Sequence, residues 1–392
     1  MLSGWTKSLN IKLYNSTSTL TDYQVKFVIY RSAGTNNGDN IYLSTDCLDN
    51  YNDIRFTSTS DVEYPYWIES YDTSSATIWV KIPSITGTAY TDLVLQYGNS
   101  SASPGSSGDN TFVFFDDFET GTISSTKWPT GYASYSTTSS SPYQGTYSAT
   151  RSGSQVTLQS GTIETLSSHV IEMSVKFAEI DKYHFPIYCN QYLLIARSTG
   201  YWCYYSGSAY VNFTTYAANT WYKVKLILNK SINTYYIYID DVLIGTVTNN
   251  TYFNASAPSI FSLINVDSGQ TAGITFDVVR VRKYSTAEPV KYYPQPLINW
   301  RYRKSHTITH PSGGLVNYQA KITVYRDDGP TVDGDTVHLE SSKVRTNFGD
   351  IRFTNFYPEY CTGCPIYRFN PVIKFSIGGI GKSDVAKIGS DF

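Results

Sequence analysis

Charge is scarce in this chain. Only 16% of its 392 residues are Asp, Glu, Lys or Arg, where about a quarter is usual. The formal net charge is −2, so nothing electrostatic favours a nucleic-acid partner. Long apolar runs are missing, which excludes a helical membrane span. The opening MLSGWTKSLN carries no apolar signal core. Sustained 3.6-residue periodicity is absent too, and with it any long amphipathic helix. Cysteine is sparse and odd in number, five copies, so the thiols cannot all pair within one chain. No phosphate loop, H-E-x-x-H helix or Ser/His/Asp motif is present.

Tyrosine is abundant instead, at 36 copies, and 41% of residues are hydrophobic and 16% aromatic. A Ser/Thr-rich chain with that apolar content folds rather than staying disordered. Short β-rich runs broken by Gly, Ser, Asn and Pro clusters predict an all-β protein, and the length predicts two or three domains. The clearest stretch is Asn219–Val247. Tyr222, Val224, Leu226 and Leu228 alternate with Lys223, Lys225 and Ile227, the period of a strand with one buried face. Asn229–Asn233 reads as a turn, Tyr235–Ile239 as a second strand, and Asp240-Asp241 as a tight turn into a third.

A Trp-led strand followed by an aromatic strand ending in Y-I-D-D resembles the concanavalin/laminin-G-like jelly rolls, with Asp241 where Gly is usual. The resemblance covers about Thr111 to Lys283. Ahead of it, L-T-D-Y-Q-V at Leu20–Val25, D-I-R-F-T at Asp53–Thr57, Y-P-Y-W-I-E-S at Tyr64–Ser70, A-T-I-W-V-K-I-P at Ala76–Pro83 and L-Q-Y-G-N at Leu95–Asn99 occur in order. Together they resemble a domain-of-unknown-function family of archaeal and bacterial surface proteins, which implies a small β-sandwich and no catalytic residues. The pattern returns near the C-terminus: Trp300, Leu315–Ala320 and Asp350–Thr354 repeat Trp5, Leu20–Val25 and Asp53–Thr57 at offsets of 295, 295 and 297 residues. After Thr354 the match stops. The expected order is therefore A–B–A′: a sandwich at 1–99, a flexible Ser/Gly linker at 100–110, a jelly roll at 111–287, a Pro-rich linker at 288–298, and a divergent or truncated copy at 299–392.

Several groups are candidates for chemistry. Tyr201, Trp202, Tyr204, Tyr205 and Tyr210 could stack on sugar faces, or form a half-buried strand with alternate rings exposed. Arg55, Trp67 and Glu69 read either as a structural ion pair near a strand end or as a sugar or anion pocket. If the first and last jelly-roll strands lie side by side, Asp116 or Asp117 approaches Asp277, and the resemblance implies a structural calcium there. Glu179-x-Asp181 is part of the acid motif of β-glucan-cleaving relatives, but His184 stands where a second Glu would be. Retaining hydrolysis needs two carboxyl groups about 5 Å apart. Cys361 and Cys364 read as a short-loop disulfide or as half a zinc site, with no second C-x-x-C to complete it, and an extracellular setting favours the disulfide; His306 and His310, about 13 Å apart along a strand, are too far apart for one metal.

These readings predict a non-enzymatic structural or adhesive protein of a cell surface, filament or virion. Its partners would be surface glycans and itself or another structural subunit. A polysaccharide-active hydrolase is the alternative. Val372–Ile377, flanked by Pro371 and Gly378-Gly379, is expected to fill the gap in copy A′ or to reach into a neighbouring chain.

Overall fold

The computed structural model of the chain describes residues 1–294, except 190–191 and 249–258, with Tyr192 by backbone only; of 295–392 it describes the strands alone. Two compact units result, Met1–Pro294 and Gln295–Phe392. The protein is nearly all β, with one four-residue α-helix, Gly108–Thr111 (α1), and two single 3-10 turns, Tyr132–Ser134 and Lys230–Ile232, among the described residues.

The first unit opens with β1 (Lys7–Asn15), β2 (Leu20–Tyr30), β3 (Asn40–Tyr42), β4 (Arg55–Thr57), β5 (Glu63–Tyr64), β6 (Tyr66–Tyr71), β7 (Ser75–Ile85) and β8 (Ala89–Tyr97). A second series follows: β9 (Phe114–Asp116), β10 (Ser136–Thr138), β11 (Ser148–Ser154), β12 (Thr157–Gln159), β13 (Ser168–Phe177), β14 (His184–Tyr188), β15 (Tyr192–Arg197) and β16 (Tyr201–Tyr205). It ends with β17 (Tyr210–Thr215), β18 (Trp221–Asn229), β19 (Thr234–Ile239), β20 (Val242–Thr248), β21 (Ser262–Ile264), β22 (Thr271–Lys283) and β23 (Val290–Tyr292).

Two sandwiches are built from these strands. The first packs β23-β1-β8-β4-β5 on β3-β2-β7-β6, and the second packs β10-β11-β22-β13-β18-β19-β20, with β9 on β22, against β12-β21-β14-β15-β16-β17. Their cores are separate: Phe27, Phe56, Ile78 and Leu95 lie in one, and Trp128, Phe177, Trp202 and Phe276 in the other. The alternation in β18 is as expected, with Val224, Leu226 and Leu228 buried and Lys223 exposed. Asp240 and Asp241 both take left-handed backbone, φ 49° and 63°, which a two-residue hairpin of primed type demands. Asp241 is held in that conformation without glycine by ion pairs of 3.2 Å to both Lys223 and Lys225.

Both expected linkers are instead built into the fold. Within 100–110, Ser103 O accepts from Arg55, Ser106 Oγ accepts from Ile68 N–H, Ser107 N–H donates to Tyr66 O, and Ser107 caps α1. A Ser/Gly composition signals flexibility only where the backbone has no partners, and here it has them. Within 288–298, Val290–Tyr292 is a strand, paired with β1 from Lys12↔Tyr292 to Tyr14↔Val290. The chain thus leaves the first sandwich, makes the whole jelly roll, and returns to finish the first sandwich.

In the second unit, β24 (Tyr302–Thr307), β29 (Val372–Ile377) and β28 (Arg352–Phe356) form one sheet; β26 (Val332–Asp333), β27 (Thr336–His338), β25 (Thr323–Tyr325) and β30 (Ala386–Lys387) form another. The repeat is visible in topology. β29 lies antiparallel between β24 and β28, as β8 lies between β1 and β4. Likewise β30 pairs antiparallel with β25, and β25 parallel with β27, as β7 and β3 pair with β2. The divergent tail therefore supplies counterparts of β8 and β7, in reversed chain order, and both edges of Val372–Ile377 are taken within the chain.

Candidate functional site

Of the residues expected as a sugar or anion pocket in the first sandwich, Trp67 and Glu69 lie in a seam between the two sandwiches, and Arg55 does not. Trp67, Trp79, Phe112, Phe115 and Val278 form a separate apolar cluster there. Arg280 lies among them, 5.1 Å from the Trp79 ring and 5.5 Å from those of Trp67 and Phe112. It pairs with Glu69 at 2.9 Å and Glu172 at 2.7 Å. Burial opposes ionisation of Glu172, yet Arg280 and Arg282 outweigh it and hold the carboxyl down at about 2. Gln24, from the Y-Q motif, donates to Thr111 O and accepts from Lys283 N–H, stitching the same seam. Arg55 pairs with Glu63, at 3.3 Å, rather than with Asp53 or Glu69, and Asp53 accepts from Leu48 and Gly98 N–H groups. The seam is structural, with its charges matched and its rings covered.

The acids expected to hold calcium are adjacent but differently employed. β9 does lie beside β22, with Asp116 opposite Val279. However, Asp116 accepts from Trp128 Nε1–H at 2.7 Å and from Phe118 N–H, and Asp117 accepts from Glu119 N–H. Asp277 accepts from Tyr143, Gln144 and Val278 N–H groups and from Ser148 O–H. Each carboxylate is thus oriented by protein donors, Asp277 by four of them. No cluster of three acidic, His or Cys side chains that could hold a metal occurs among the described residues.

The acid motif also departs from expectation. β13 ends at Phe177, and residues 178–183 form a turn, so Glu179 and Asp181 do not share a strand face. Glu179 accepts from Gly273 N–H, and Asp181 pairs with Lys182. His184 is buried on the inward side, 4.5 Å from the Phe177 ring, and burial pushes its pKa down. Cys361, Cys364 and His310, and the side chain of His306, lie outside the described residues.

The tyrosine group divides by strand parity. Trp202 is fully buried against Phe177, Tyr216 and Tyr222, and Tyr204 packs on Phe213 at the edge of the same core. Trp202 is thus a core residue, and the Tyr204 ring is partly buried on the core side of the sheet. Tyr201, Cys203 and Tyr205 point to the opposite, outward face of the six-stranded sheet. That face carries its own small apolar layer of Phe185, Ile195, Cys203 and Ile264, against which Tyr183, Tyr188 and Tyr205 are half-buried. Tyr201 and Tyr210 remain 37% and 39% exposed. Tyr210 sits 5.2 Å from Tyr205 and 5.6 Å from Tyr183, ring centre to ring centre, with the Arg197 guanidinium 5.0 Å from its own ring.

Tyr183 and Arg197 were not singled out from the sequence. The signal was available for Arg197: L-L-I-A-R and Y-W-C-Y-Y flank Ser198–Gly200, and Gly200 takes φ 79°. Read as a hairpin, that places Arg197 opposite Tyr201, as the structure does.

Comparison with known proteins adds little chemistry. A family model, the domain of unknown function DUF2341, matches residues 50–131. The match takes in D-I-R-F-T, Y-W-I-E and Q-Y-G-N and runs through 100–110 into the jelly roll. No curated protein matches the chain. Solved structures with a similar fold include a sialidase (13% identity, TM-score 0.35, 59% of this chain and 22% of that one). Others are a GH131 β-glucanase catalytic domain from Podospora anserina (14%, 0.34, 46% and 98%) and the carbohydrate-binding module CBM66 from Bacillus subtilis (15%, 0.26, 38% and 96%). The chain spans 22% of the sialidase's length. Likenesses at this level carry no argument about what the residues of this chain do.

Proposed function

We propose that the chain is a structural or adhesive protein whose jelly roll contacts carbohydrate through the outward face of the six-stranded sheet, without turning it over. The observation that carries the reading is the grouping of Tyr201, Tyr205, Tyr210 and Tyr183 on that face, two of them well exposed. Tyrosine offers a flat apolar ring with a polar tip, suited to the C–H face and hydroxyls of a sugar. Against turnover stand the separate engagements of Glu179 and Asp181, which do not converge as an acid and a nucleophile must. A cell surface, filament or virion is the setting this reading implies, and there Cys361 and Cys364 would form a short-loop disulfide. Self-association through the C-terminal region belongs to the same reading. With both edges of β29 paired, it would proceed by exchange of that strand between copies.

The test is a glycan array with the full-length protein, its Tyr201→Ala and Tyr210→Ala variants, and a reducing-sugar assay on each ligand found. Binding weakened by both substitutions, with no release of reducing ends, is expected. Reducing ends released from a bound glycan would make the protein a hydrolase; binding indifferent to both substitutions would move the site elsewhere.

A further inference from the structure

Six arginines fall within residues 1–294, and five are committed. Arg31 and Arg151 donate to backbone carbonyls, and Arg55, Arg280 and Arg282 pair with glutamates. Arg197 alone among them has neither kind of partner. Its guanidinium contacts only the Tyr183 hydroxyl at 3.5 Å and Asn212 Oδ1 at 3.4 Å, both at the long limit of a hydrogen bond, and the Tyr210 ring. The nearby acids are turned elsewhere: Asp181 to Lys182, and Asp267 to the N–H of Ser268 in its own turn. Residues 190–191 and 249–258 contain no Asp or Glu that could complete a pair.

A half-exposed guanidinium without a counter-charge among the described residues, set among tyrosine rings on the face proposed above for carbohydrate, has an obvious complement. We infer that this face selects an acidic oligosaccharide, with the Arg197 guanidinium receiving a sugar carboxylate while the exposed rings of Tyr201 and Tyr210 carry the pyranose faces. The inference rests on the carbohydrate reading above and adds its specificity. Arginine suits the task because its fork donates two parallel hydrogen bonds to a carboxylate, and its plane is pre-set by the ring it lies on. A point-like ammonium would not hold that geometry.

The test compares the full-length protein's affinity for three matched forms of one uronic-acid oligosaccharide: native, carboxyl-reduced, and sulfated after reduction. Native ligand should bind about tenfold or more tightly than the reduced form, as one charge-assisted contact implies. Arg197→Gln should erase that ratio while leaving affinity for the reduced ligand within about twofold, and Arg197→Lys should restore only part of it. Equal wild-type affinity for native and reduced ligands overturns the inference, as does a ratio that survives Arg197→Gln. Preference for the sulfated form overturns the choice of carboxylate. No measurable binding of any form, together with an empty glycan array, overturns the carbohydrate reading itself, which is a different result from a loss of acid preference.

Discussion

Replacing Arg280 by Gln tests whether the inter-sandwich seam holds the first unit together. Arg280 is buried, paired with Glu69 and Glu172, and enclosed by Trp67, Trp79 and Phe112. The fall of the Glu172 carboxyl from its ordinary 4.5 to about 2 corresponds to roughly 3 kcal/mol at neutral pH. Breaking a buried pair by removing one partner costs about 3–5 kcal/mol, because the other charge is left buried. Arg280→Gln should therefore lose about that much in urea unfolding of the full-length protein, followed by tryptophan fluorescence, since Trp67 and Trp79 report the seam directly. A depressed carboxylate stabilises above its unfolded value and loses that contribution as pH falls through its folded one. The gap between wild type and variant should accordingly be full above about pH 4.5 and close toward pH 2. A combined Glu69→Met, Glu172→Leu, Arg280→Met, Arg282→Met variant should recover most of the loss, since apolar groups of similar volume replace the whole buried ion cluster at little cost. A loss below about 1 kcal/mol for the single variant, or no recovery in the combined one, would refute this account.

Burial pushes the Asp277 carboxyl up to about 6 despite its four hydrogen bonds. A raised carboxylate stabilises in its protonated form, so stability should decline as pH climbs from about 4 to about 6, and Asp277→Asn should flatten that slope in denaturant midpoints. Deleting Asn370–Phe392 removes the strand that joins β24 to β28; limited proteolysis should then digest the second unit while leaving 1–294 intact, and an equally resistant second unit would count against the topology. Cys47, Cys189 and Cys203 are buried, with thiols pushed up to about 11, 12 and 11. Mass spectrometry should find all three unlabelled by a thiol reagent at pH 8 until denaturant is added. Gly145, at φ 64°, leaves no space between its backbone and the Glu119 carboxylate, so Gly145→Ala should lower the unfolding free energy by about 1–2 kcal/mol, and no change would refute the contact.

Strand order and face were legible wherever one side of a strand is buried, as in Trp221–Asn229, because period-two patterning then fixes register. The same rule divided Tyr201–Tyr205 correctly in kind, but sequence could not say which parity faced the core. Trp202 and Tyr204 took that place because Tyr216, Phe213 and Tyr222 meet them there. Asp116 and Asp277 were rightly placed on adjacent strands. Their partners were not readable, since Trp128 and the 143–148 loop arrive through tertiary structure. The pairing of Arg280 with Glu69, more than 200 residues away, has no local signature.

The return of β23 to β1 decides how the first unit bears tension. A pull on Met1 and Pro294 enters through β1 and leaves through β23, whose C-terminal residue Tyr292 faces Lys12, the first of the three β1 residues in their shared ladder. The antiparallel ladder is loaded from that end and opens pair by pair, resisted by Lys291 on Asp39 and by the Tyr293 hydroxyl on Gly38 O. While those contacts hold, the jelly roll lies off the load path entirely, a side loop closed by a three-residue buckle. Its tyrosine face can stay in shape while the chain around it is stretched.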